Sequence, residues 1–277
     1  MKNFFVSGLN KSGTTFLQML LNAHPTINCR SEQHFFTLLD ELKKLSMGYR
    51  IGLQSFDRLT ANQGIHFDEN AFTHNVFSAM VMELMQYGID DNTTHSGLND
   101  NSLIEKADLF AEILPDAKFV FIIRDPRDVA ISLWHHRLRN EADFARQNPP
   151  VGPTVRGIIN AWKDHIGAIE KFDNKNPGRV TMVRYEDLID IGRDSTLSTT
   201  LNFLEVSFDA ENLSNMWDAT NFEKLRQREQ GVDVRDNGFY RSGNRKTWRD
   251  HLDEETRKYV IKIAEEILLK FGYGSEG

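Results

Sequence analysis

The segment Phe4-Phe5-Val6-Ser7-Gly8-Leu9-Asn10-Lys11-Ser12-Gly13-Thr14-Thr15-Phe16 decides the fold of this chain. An apolar run typical of a strand leads into a turn of Gly, Ser and Thr, and a helical pattern follows directly. Such a turn aims backbone N–H groups and the positive end of a helix at one point, which makes an anion site for a phosphate or a related group. Residues 8–15 match the phosphate-loop pattern GxxxxGK[ST] except at Thr14, where that pattern has lysine. The lysine of this chain is Lys11, inside the loop.

Strand-like and helix-like segments alternate along the rest of the chain. Residues 119–123 form a continuous apolar, β-branched run, typical of a strand buried on both faces of a parallel sheet. Further strands are predicted at residues 4–7, 103–105 and 179–184, and helices at residues 14–23, 107–113, 157–172 and 253–271 and after Pro126. This alternation predicts an α/β fold with a mostly parallel sheet, whose ligands bind at the carboxyl ends of the strands.

The composition limits the classes of protein. The 277 residues, 40% of them hydrophobic, suffice for one large domain with a sizeable core. A net charge of -7 argues against wholesale binding of nucleic acid but permits a basic pocket for one nucleotide. The single cysteine, Cys29, excludes an internal disulfide and provides no zinc cluster. We also expect no metal, on the grounds of the reaction inferred below. Because no apolar run reaches the length of a membrane span and no signal peptide is evident, we expect a cytoplasmic protein.

A second candidate anion contact follows the most hydrophobic strand, in Arg124-Asp125-Pro126-Arg127-Asp128 and then Ser132. An arginine can bind a phosphate through two parallel hydrogen bonds, and a serine about one turn into the next helix can donate its hydroxyl to the same group. The alternative is an Arg124 that caps the strand and pairs with Asp128. The presence of the Lys11 loop favours the phosphate interpretation.

These segments resemble the sulfotransferases that use 3′-phosphoadenosine 5′-phosphosulfate (PAPS). Lys11-Ser12-Gly13-Thr14-Thr15 resembles the 5′-phosphosulfate loop of that family, and Arg124 with Ser132 resembles its 3′-phosphate element. Tyr185-Glu186-Asp187-Leu188 resembles the segment that flanks the adenine. Residues 220–225 and 239–248 resemble the elements that close over the nucleotide, although Asn244-Arg245-Lys246-Thr247 stand where the family often has a further glycine.

The resemblance implies a fold and a set of contacts. The fold is a three-layer α/β arrangement like that of the P-loop NTPases, in a single domain over residues 1–277. Lys11 contacts the oxygen that bridges phosphate and sulfate. The resemblance assigns the 5′-phosphate to Ser12, Gly13, Thr14 and Thr15, the adenine to Phe16, Tyr185, Thr220 and Phe222, and the 3′-phosphate to Arg124, Ser132, Arg241, Ser242 and Gly243.

Sulfuryl transfer is an in-line displacement in which a general base takes the proton of the acceptor and a cation stabilises the leaving phosphate. Glu32 in Ser31-Glu32-Gln33-His34-Phe35-Phe36 resembles the catalytic-glutamate segment of the heparan-type enzymes, and Glu105 is the alternative base. His34 is a candidate contact to the acceptor, and Lys106 resembles a residue that orients the reacting groups. The competing interpretation is a solvated surface residue for Glu32 and Lys106 and a partly buried structural residue for His34.

Residues 37–101 carry no cofactor motif and are rich in Phe, Met and Leu. At helical spacing such residues usually form core, and this is the leading interpretation. The stretch lies between Glu32 and Lys106, so an insertion that acts as a lid over the acceptor is the second interpretation.

The sequence thus predicts transfer of a sulfuryl group from PAPS to a hydroxyl, or as a second choice an amine, of a small-molecule, lipid or glycan acceptor, with adenosine 3′,5′-bisphosphate (PAP) as product. A P-loop kinase and a non-catalytic nucleotide-binding protein are the alternatives. Thr14 in place of the phosphate-loop lysine, and Arg124 where an aspartate would help to bind magnesium, count against the kinase. The sequence indicates neither the acceptor nor the oligomeric state.

Overall fold

A five-stranded parallel sheet organises the chain. The computed structural model describes residues 1–59, 67–190, 192–221 and 248–274. The strand order is β2-β3-β1-β4-β5, and all neighbouring strands are parallel. The strands are β1 (Lys2–Ser7), β2 (Ile27–Glu32), β3 (His95–Asn99), β4 (Lys118–Ile123) and β5 (Val180–Arg184). The predicted α/β fold with a parallel central sheet is confirmed.

Helices cover both faces of this sheet, which gives three layers. Their bounds are α1 (Thr14–Asn22), α2 (Phe35–Leu59), α3 (Glu69–Gln86), α4 (Ala107–Ile113), α5 (Pro126–Asn140), α6 (Ala142–Gln147), α7 (Gly152–Lys175), α8 (Tyr185–Leu188), α9 (Arg193–Leu204), α10 (Ala210–Ala219), α11 (Trp248–His251) and α12 (Glu254–Lys270). Among the described residues, no helix is long and apolar enough to cross a membrane.

The alternation of side chains along β1 assigns the two faces of the sheet. Phe5 points into the larger core cluster, which includes α3 and α7, whereas Phe4 and Val6 point into the cluster formed with α1, α9 and α10. Each of these side chains is at most 1% exposed, and full burial of one such side chain stabilises the fold by about 1.5–3 kcal/mol. The face that carries α1 is therefore also the face from which the Lys11 loop rises.

The prediction of a strand at residues 103–105 is wrong. Leu103–Lys106 is a 3₁₀ turn, and the strand in this region is β3, at His95–Asn99. This strand has few β-branched or aromatic side chains, so its composition does not reveal it. A Cβ atom on Gly97 would lie 2.2 Å from the ring of Phe4, so the close approach of Phe4 to the backbone holds β3 in place.

Residues 37–101 contain most of α2, all of α3 and all of β3. Because β3 lies between β2 and β1, its residues belong to the central sheet. Helices α2 and α3 pack side by side and contribute Leu39, Phe77 and Val81 to the larger core cluster. Phe77 and Met85 are therefore core as the leading interpretation expects, whereas Phe56 and Met82 are exposed.

Candidate active site

The loop between β1 and α1 has the backbone shape of an anion site. Lys11 and Gly13 adopt the left-handed region with φ of 73° and 100°, while Ser12 between them does not. When successive residues alternate between right-handed and left-handed backbone conformations, their N–H groups point to the same side of the chain and form a concave anion site. The N–H of Ser12 donates to the carbonyl oxygen of Leu9 at 3.0 Å, which closes the turn.

Two glycines of this loop are required by its packing. A Cβ atom on Gly8 would lie 2.4 Å from the carbonyl oxygen of Ile122, and one on Gly13 would lie 2.5 Å from Cδ2 of Tyr185. The loop therefore rests directly on the carboxyl end of β4 and on the residue that follows β5. No side chain fits between them.

Arg124, the first residue after β4, reaches across the loop. Its Nη1 donates to the carbonyl oxygen of Lys11 at 3.2 Å, and its guanidinium carbon lies 4.6 Å from the centroid of the Tyr185 ring. Phe16 meets the same ring edge-on, with the centroids 6.1 Å apart. The strand end, the loop, α1 and the start of α8 thus converge on Tyr185, which is 6% exposed.

Two donors at this site are buried and lack a partner among the described residues. They are Nε of Arg124 and the hydroxyl of Ser12. Buried polar groups in proteins are normally hydrogen-bonded, so such orphans are expected where a ligand completes the site. A guanidinium, a hydroxyl and loop N–H groups are all donors, and they therefore fit a ligand with phosphate groups.

Glu32 ends β2, an element that the sequence analysis did not predict. The register shifts between Arg30 and Glu32, so that Arg30 pairs with Leu98 and Glu32 pairs with Asn99. Without this bulge, two residues at that spacing would share one face of the sheet. Asn99 pairs in turn with Val6, which points to the α1 face. The bulge therefore turns Glu32 to the face that carries the Lys11 loop.

A single amide joins Glu32 to this loop. Nδ2 of Asn101 donates to Oδ1 of Asn10 at 2.7 Å and to Oε1 of Glu32 at 3.1 Å. Asn10 directly precedes Lys11, so Asn101 links the predicted base to the loop that carries the predicted phosphosulfate contact. Neither asparagine was singled out from the sequence, although the polar run Asn99-Asp100-Asn101-Ser102 would have marked a strand end if β3 had been recognised.

The remaining residues on the acceptor side lie around the same strand ends. His34 is exposed, precedes α2 and has a left-handed φ of 52°. Glu105 and Lys106 are exposed on the 3₁₀ turn Leu103–Lys106, one turn after Asn101. The structure thus places the four predicted acceptor-side residues on the two segments that follow β2 and β3.

The residues assigned to the far end of the nucleotide are only partly described. Ser132 is half-buried in α5. Thr220 ends α10, where its buried hydroxyl donates to the carbonyl oxygen of Met216 at 2.9 Å. Phe222, Arg241, Ser242 and Gly243 lie outside the described residues. Within the described ranges, no group of His, Cys, Asp and Glu side chains could hold a metal ion.

A buried polar network that the sequence analysis missed supports Arg124 and Tyr185 from behind. Glu186 accepts hydrogen bonds at 3.0 Å from the N–H of Asp125 and at 3.0 Å from the hydroxyl of Tyr273. Burial raises the pKa of Glu186, and burial raises the pKa of Tyr273. The end of β4 and the end of β5 are therefore joined by two contacts side by side. Arg124 lies against the ring of Tyr185, and the next residue along each segment forms the bond between Asp125 and Glu186.

Known proteins resemble this chain in sequence. The sequence pattern of the sulfotransferase domain family matches residues 1–272. Protein-tyrosine sulfotransferase 1 of Danio rerio is 28% identical over 205 residues, which cover 73% of this chain and 52% of that protein. Cytosolic sulfotransferase 13 of Arabidopsis thaliana is 26% identical over 168 residues, which cover 55% of this chain and 52% of that protein. The chain spans about half the length of these two relatives.

Solved structures show the same fold. Mouse sulfotransferase SULT7A1 complexed with PAP superimposes with a TM-score of 0.61 at 14% identity, over 99% of this chain and 86% of that one. The sulfotransferase domain of the olefin synthase of Synechococcus PCC 7002 gives a TM-score of 0.55 at 20% identity, over 96% of this chain and 94% of that one. Because the family pattern covers nearly the whole sequence, this chain belongs to the sulfotransferase family.

Proposed function

We propose that this chain transfers a sulfuryl group from PAPS to an acceptor hydroxyl and releases PAP. The observation that carries the proposal is the position of Arg124, which touches the Lys11 loop on one side and the Tyr185 ring on the other. The orphaned donors of Arg124 and Ser12 support it, because a nucleotide with anionic groups at both ends would satisfy them. The PAP complex of the structurally similar mouse protein supports the same ligand.

In this proposal the residues at the carboxyl ends of the strands bind PAPS and act on the acceptor. Loop residues Ser12 to Thr15 bind the 5′-phosphate, Phe16 and Tyr185 border the adenine, and Arg124 and Ser132 bind the 3′-phosphate. PAPS supplies an activated sulfuryl group. The Nζ of Lys11 stabilises the charge that develops on the 5′-phosphate oxygen as its bond to sulfur breaks. Glu32 takes the proton of the acceptor hydroxyl as the new oxygen–sulfur bond forms.

The acceptor class is a hydroxyl of a small molecule, lipid or glycan. The names of two relatives, a protein-tyrosine sulfotransferase and a flavonol sulfotransferase-like protein of Flaveria bidentis, both point to phenolic hydroxyls. A phenol is acidic enough that a carboxylate near the oxygen suffices as the base. We therefore place a tyrosyl peptide, a flavonol and a simple phenol first in an acceptor panel, beside a sterol and a glycan.

The first test is isothermal titration of the protein with PAP and with ATP, each with and without magnesium. We expect metal-independent PAP binding that weakens about 10-fold or more in Arg124→Ala, because hydrogen bonds to charged groups contribute about 1.5–3 kcal/mol each. Arg146→Ala is the matched control, since Arg146 is exposed on α6 and pairs only with surface carboxylate Asp143 in the described ranges. If the protein binds ATP in a magnesium-dependent way and does not bind PAP, this proposal is wrong and the P-loop kinase is favoured.

The second arm measures turnover of radiolabelled PAPS against the acceptor panel. We expect Glu32→Gln to slow transfer about 10²- to 10⁴-fold, the usual contribution of a general base, with PAP affinity retained. Glu41→Gln, on the exposed face of α2, is the control. If Glu32→Gln transfers sulfate at the wild-type rate, Glu32 is not the base and Glu105 becomes the candidate. If the wild type binds PAP but transfers sulfate to no acceptor, the non-catalytic alternative is favoured.

A further inference from the structure

Asn101 lies where three parts of the site meet. It is the second residue after β3, and its Nδ2 atom lies within hydrogen-bond distance of both Asn10 in the loop and Glu32 at the end of β2. Its Oδ1 atom is buried and has no partner within the described structure. Among the described contacts of the Glu32 carboxylate, this amide is the one that links it to the loop.

The backbone on both sides of Asn101 is held by its neighbour. Asp100 is 1% exposed, and its N–H donates to the carbonyl oxygen of Val6 at 3.0 Å. Its Oδ1 accepts from the N–H of Ser102 at 2.9 Å, and its Oδ2 accepts from the N–H of Phe35 at 2.8 Å. These bonds tie the turn to β1 and to the start of α2. The side chain of Asn101 is therefore presented from a rigid turn that does not depend on it.

Glu32 needs such a support because little else orients it. Its side chain is exposed at the end of an edge strand, just after a bulge. An exposed glutamate samples several rotamers, and fixing one of them costs about 1–2 kcal/mol of conformational entropy. Displacement of a reacting group by about 1 Å can cost about 100-fold in rate.

We propose that Asn101 is a positioning residue for sulfuryl transfer. Its amide donates to Glu32 and to Asn10 together, and so keeps the carboxylate at a set distance from the loop that carries Lys11. This inference rests on the proposed function, and specifically on Glu32 as the base. The role differs from a structural one because the turn is held by the hydrogen bonds of Asp100 and not by those of the Asn101 side chain.

The test is a double-mutant cycle between Asn101→Ala and Glu32→Gln, measured with radiolabelled PAPS and an acceptor of the panel that the wild type sulfates. We expect Asn101→Ala to lower kcat about 10- to 100-fold while the KM for PAPS and the Kd for PAP change by less than about 3-fold. In the Glu32→Gln background the same change should have no further effect, since the carboxylate to be positioned is absent. Asn101→Asp keeps the shape but loses the donor, and it should be slow as well.

Asn28→Ala is the matched control. Asn28 lies at the opposite end of β2 and donates its amide to the carbonyl oxygen of Gly88, so its loss removes an asparagine hydrogen bond far from the loop.

The inference is overturned if Asn101→Ala leaves kcat unchanged, if it weakens PAP binding as much as it slows turnover, or if its effect persists in the Glu32→Gln background. If Asn101→Ala does not fold, Asn101→Asp decides between these outcomes. A wild type that binds PAP but sulfates no acceptor refutes the proposed function first, and the inference with it.

Discussion

Single residues of the Lys11 loop adopt backbone shapes that restrict the choice of side chain. Gly13 has a φ of 100°, which side chains of L-residues rarely adopt, and it faces the Tyr185 ring without room for a methyl group. We expect Gly13→Ala to weaken PAP binding about 10-fold or more and to lower the free energy of unfolding, since left-handed backbone alone costs about 1–2 kcal/mol in a residue with a Cβ atom. Isothermal titration and thermal unfolding measure the two effects.

Gly157→Ala is the control for this variant. Gly157 lies inside α7, and nothing lies within 4 Å of the position of its Cβ atom. Alanine there should leave PAP affinity unchanged and stabilise the helix by about 0.5–1 kcal/mol. Equal behaviour of the two alanine variants would contradict the packing of Gly13 against Tyr185.

The residues of the site differ in how far the sequence reveals them. Lys11 and Arg124 lie in short contiguous motifs next to clearly apolar strands, so local pattern marks them as candidates, and the resemblance to the family assigns their roles. Asn10 and Asn101 act through a contact between segments 91 positions apart, and nothing local marks that contact. Glu32 was identified by resemblance, whereas its orientation depends on a bulge that no local pattern predicts.

At the scale of elements, the segment after α12 supports the candidate nucleotide site. The ring of Tyr273 lies under Arg184, with 4.8 Å between the guanidinium carbon and the ring centroid, and its hydroxyl donates to Glu186. Gly274 accepts a hydrogen bond at 3.1 Å from Arg127, whose guanidinium also binds Asp125. The segment thus braces the ends of β4 and β5, which present Arg124 and Tyr185.

We therefore expect Tyr273→Phe to destabilise the fold by about 1–3 kcal/mol, because the buried carboxylate of Glu186 loses a donor. PAP affinity should fall about 2- to 5-fold, an indirect effect smaller than the loss of one direct charged hydrogen bond. Urea denaturation and PAP titration measure these changes. Tyr259→Phe on α12 is the control, because the hydroxyl of Tyr259 only accepts a 3.3 Å bond from exposed Asn160 in the described ranges. Equal losses in the two variants would refute the bracing role.

The elements that the sequence predicts well are those whose buried positions carry apolar side chains in a regular pattern. β4 and α12 have an unbroken apolar run and an apolar stripe, and both were found within one residue of their bounds. β2 and β3 were missed because a polar edge strand and a strand built around Gly97 give no periodic signal. Their existence depends on neighbours that are distant in sequence, such as Phe4 against Gly97.

At the scale of the whole molecule, every strand contributes one side chain to the same end of the sheet. The residues, in strand order along the sequence, are Lys11, Glu32, Asn101, Arg124 and Tyr185. Parallel strands bring their carboxyl ends together, so residues spread over more than half of the chain become neighbours.

The stability of the whole fold should depend on pH through buried histidines. Burial lowers the pKa of His165 in α7 to about 4, and burial also lowers the pKa values of His24 and His95. As the pH falls from about 6.5 to 4, the unfolded chain binds a proton at His165 that the folded chain does not bind. The free energy of unfolding should therefore fall by up to about 3 kcal/mol over this interval from His165 alone. Glu186 acts in the opposite direction, since its raised pKa favours the folded state at low pH.

Comparison of the wild type with His165→Phe isolates this contribution. The ring of His165 packs edge-on against Phe121 and its buried Nε2 has no partner in the described ranges, so an aromatic ring without nitrogen suits the site. We expect the stabilities of the two proteins to differ little at pH 8 and the variant to lose less stability on acidification. Urea denaturation at intervals between pH 8 and pH 4.5 measures the difference. Parallel curves for the two proteins would show that His165 takes up its proton in the folded state as readily as in the unfolded one, and would refute this prediction.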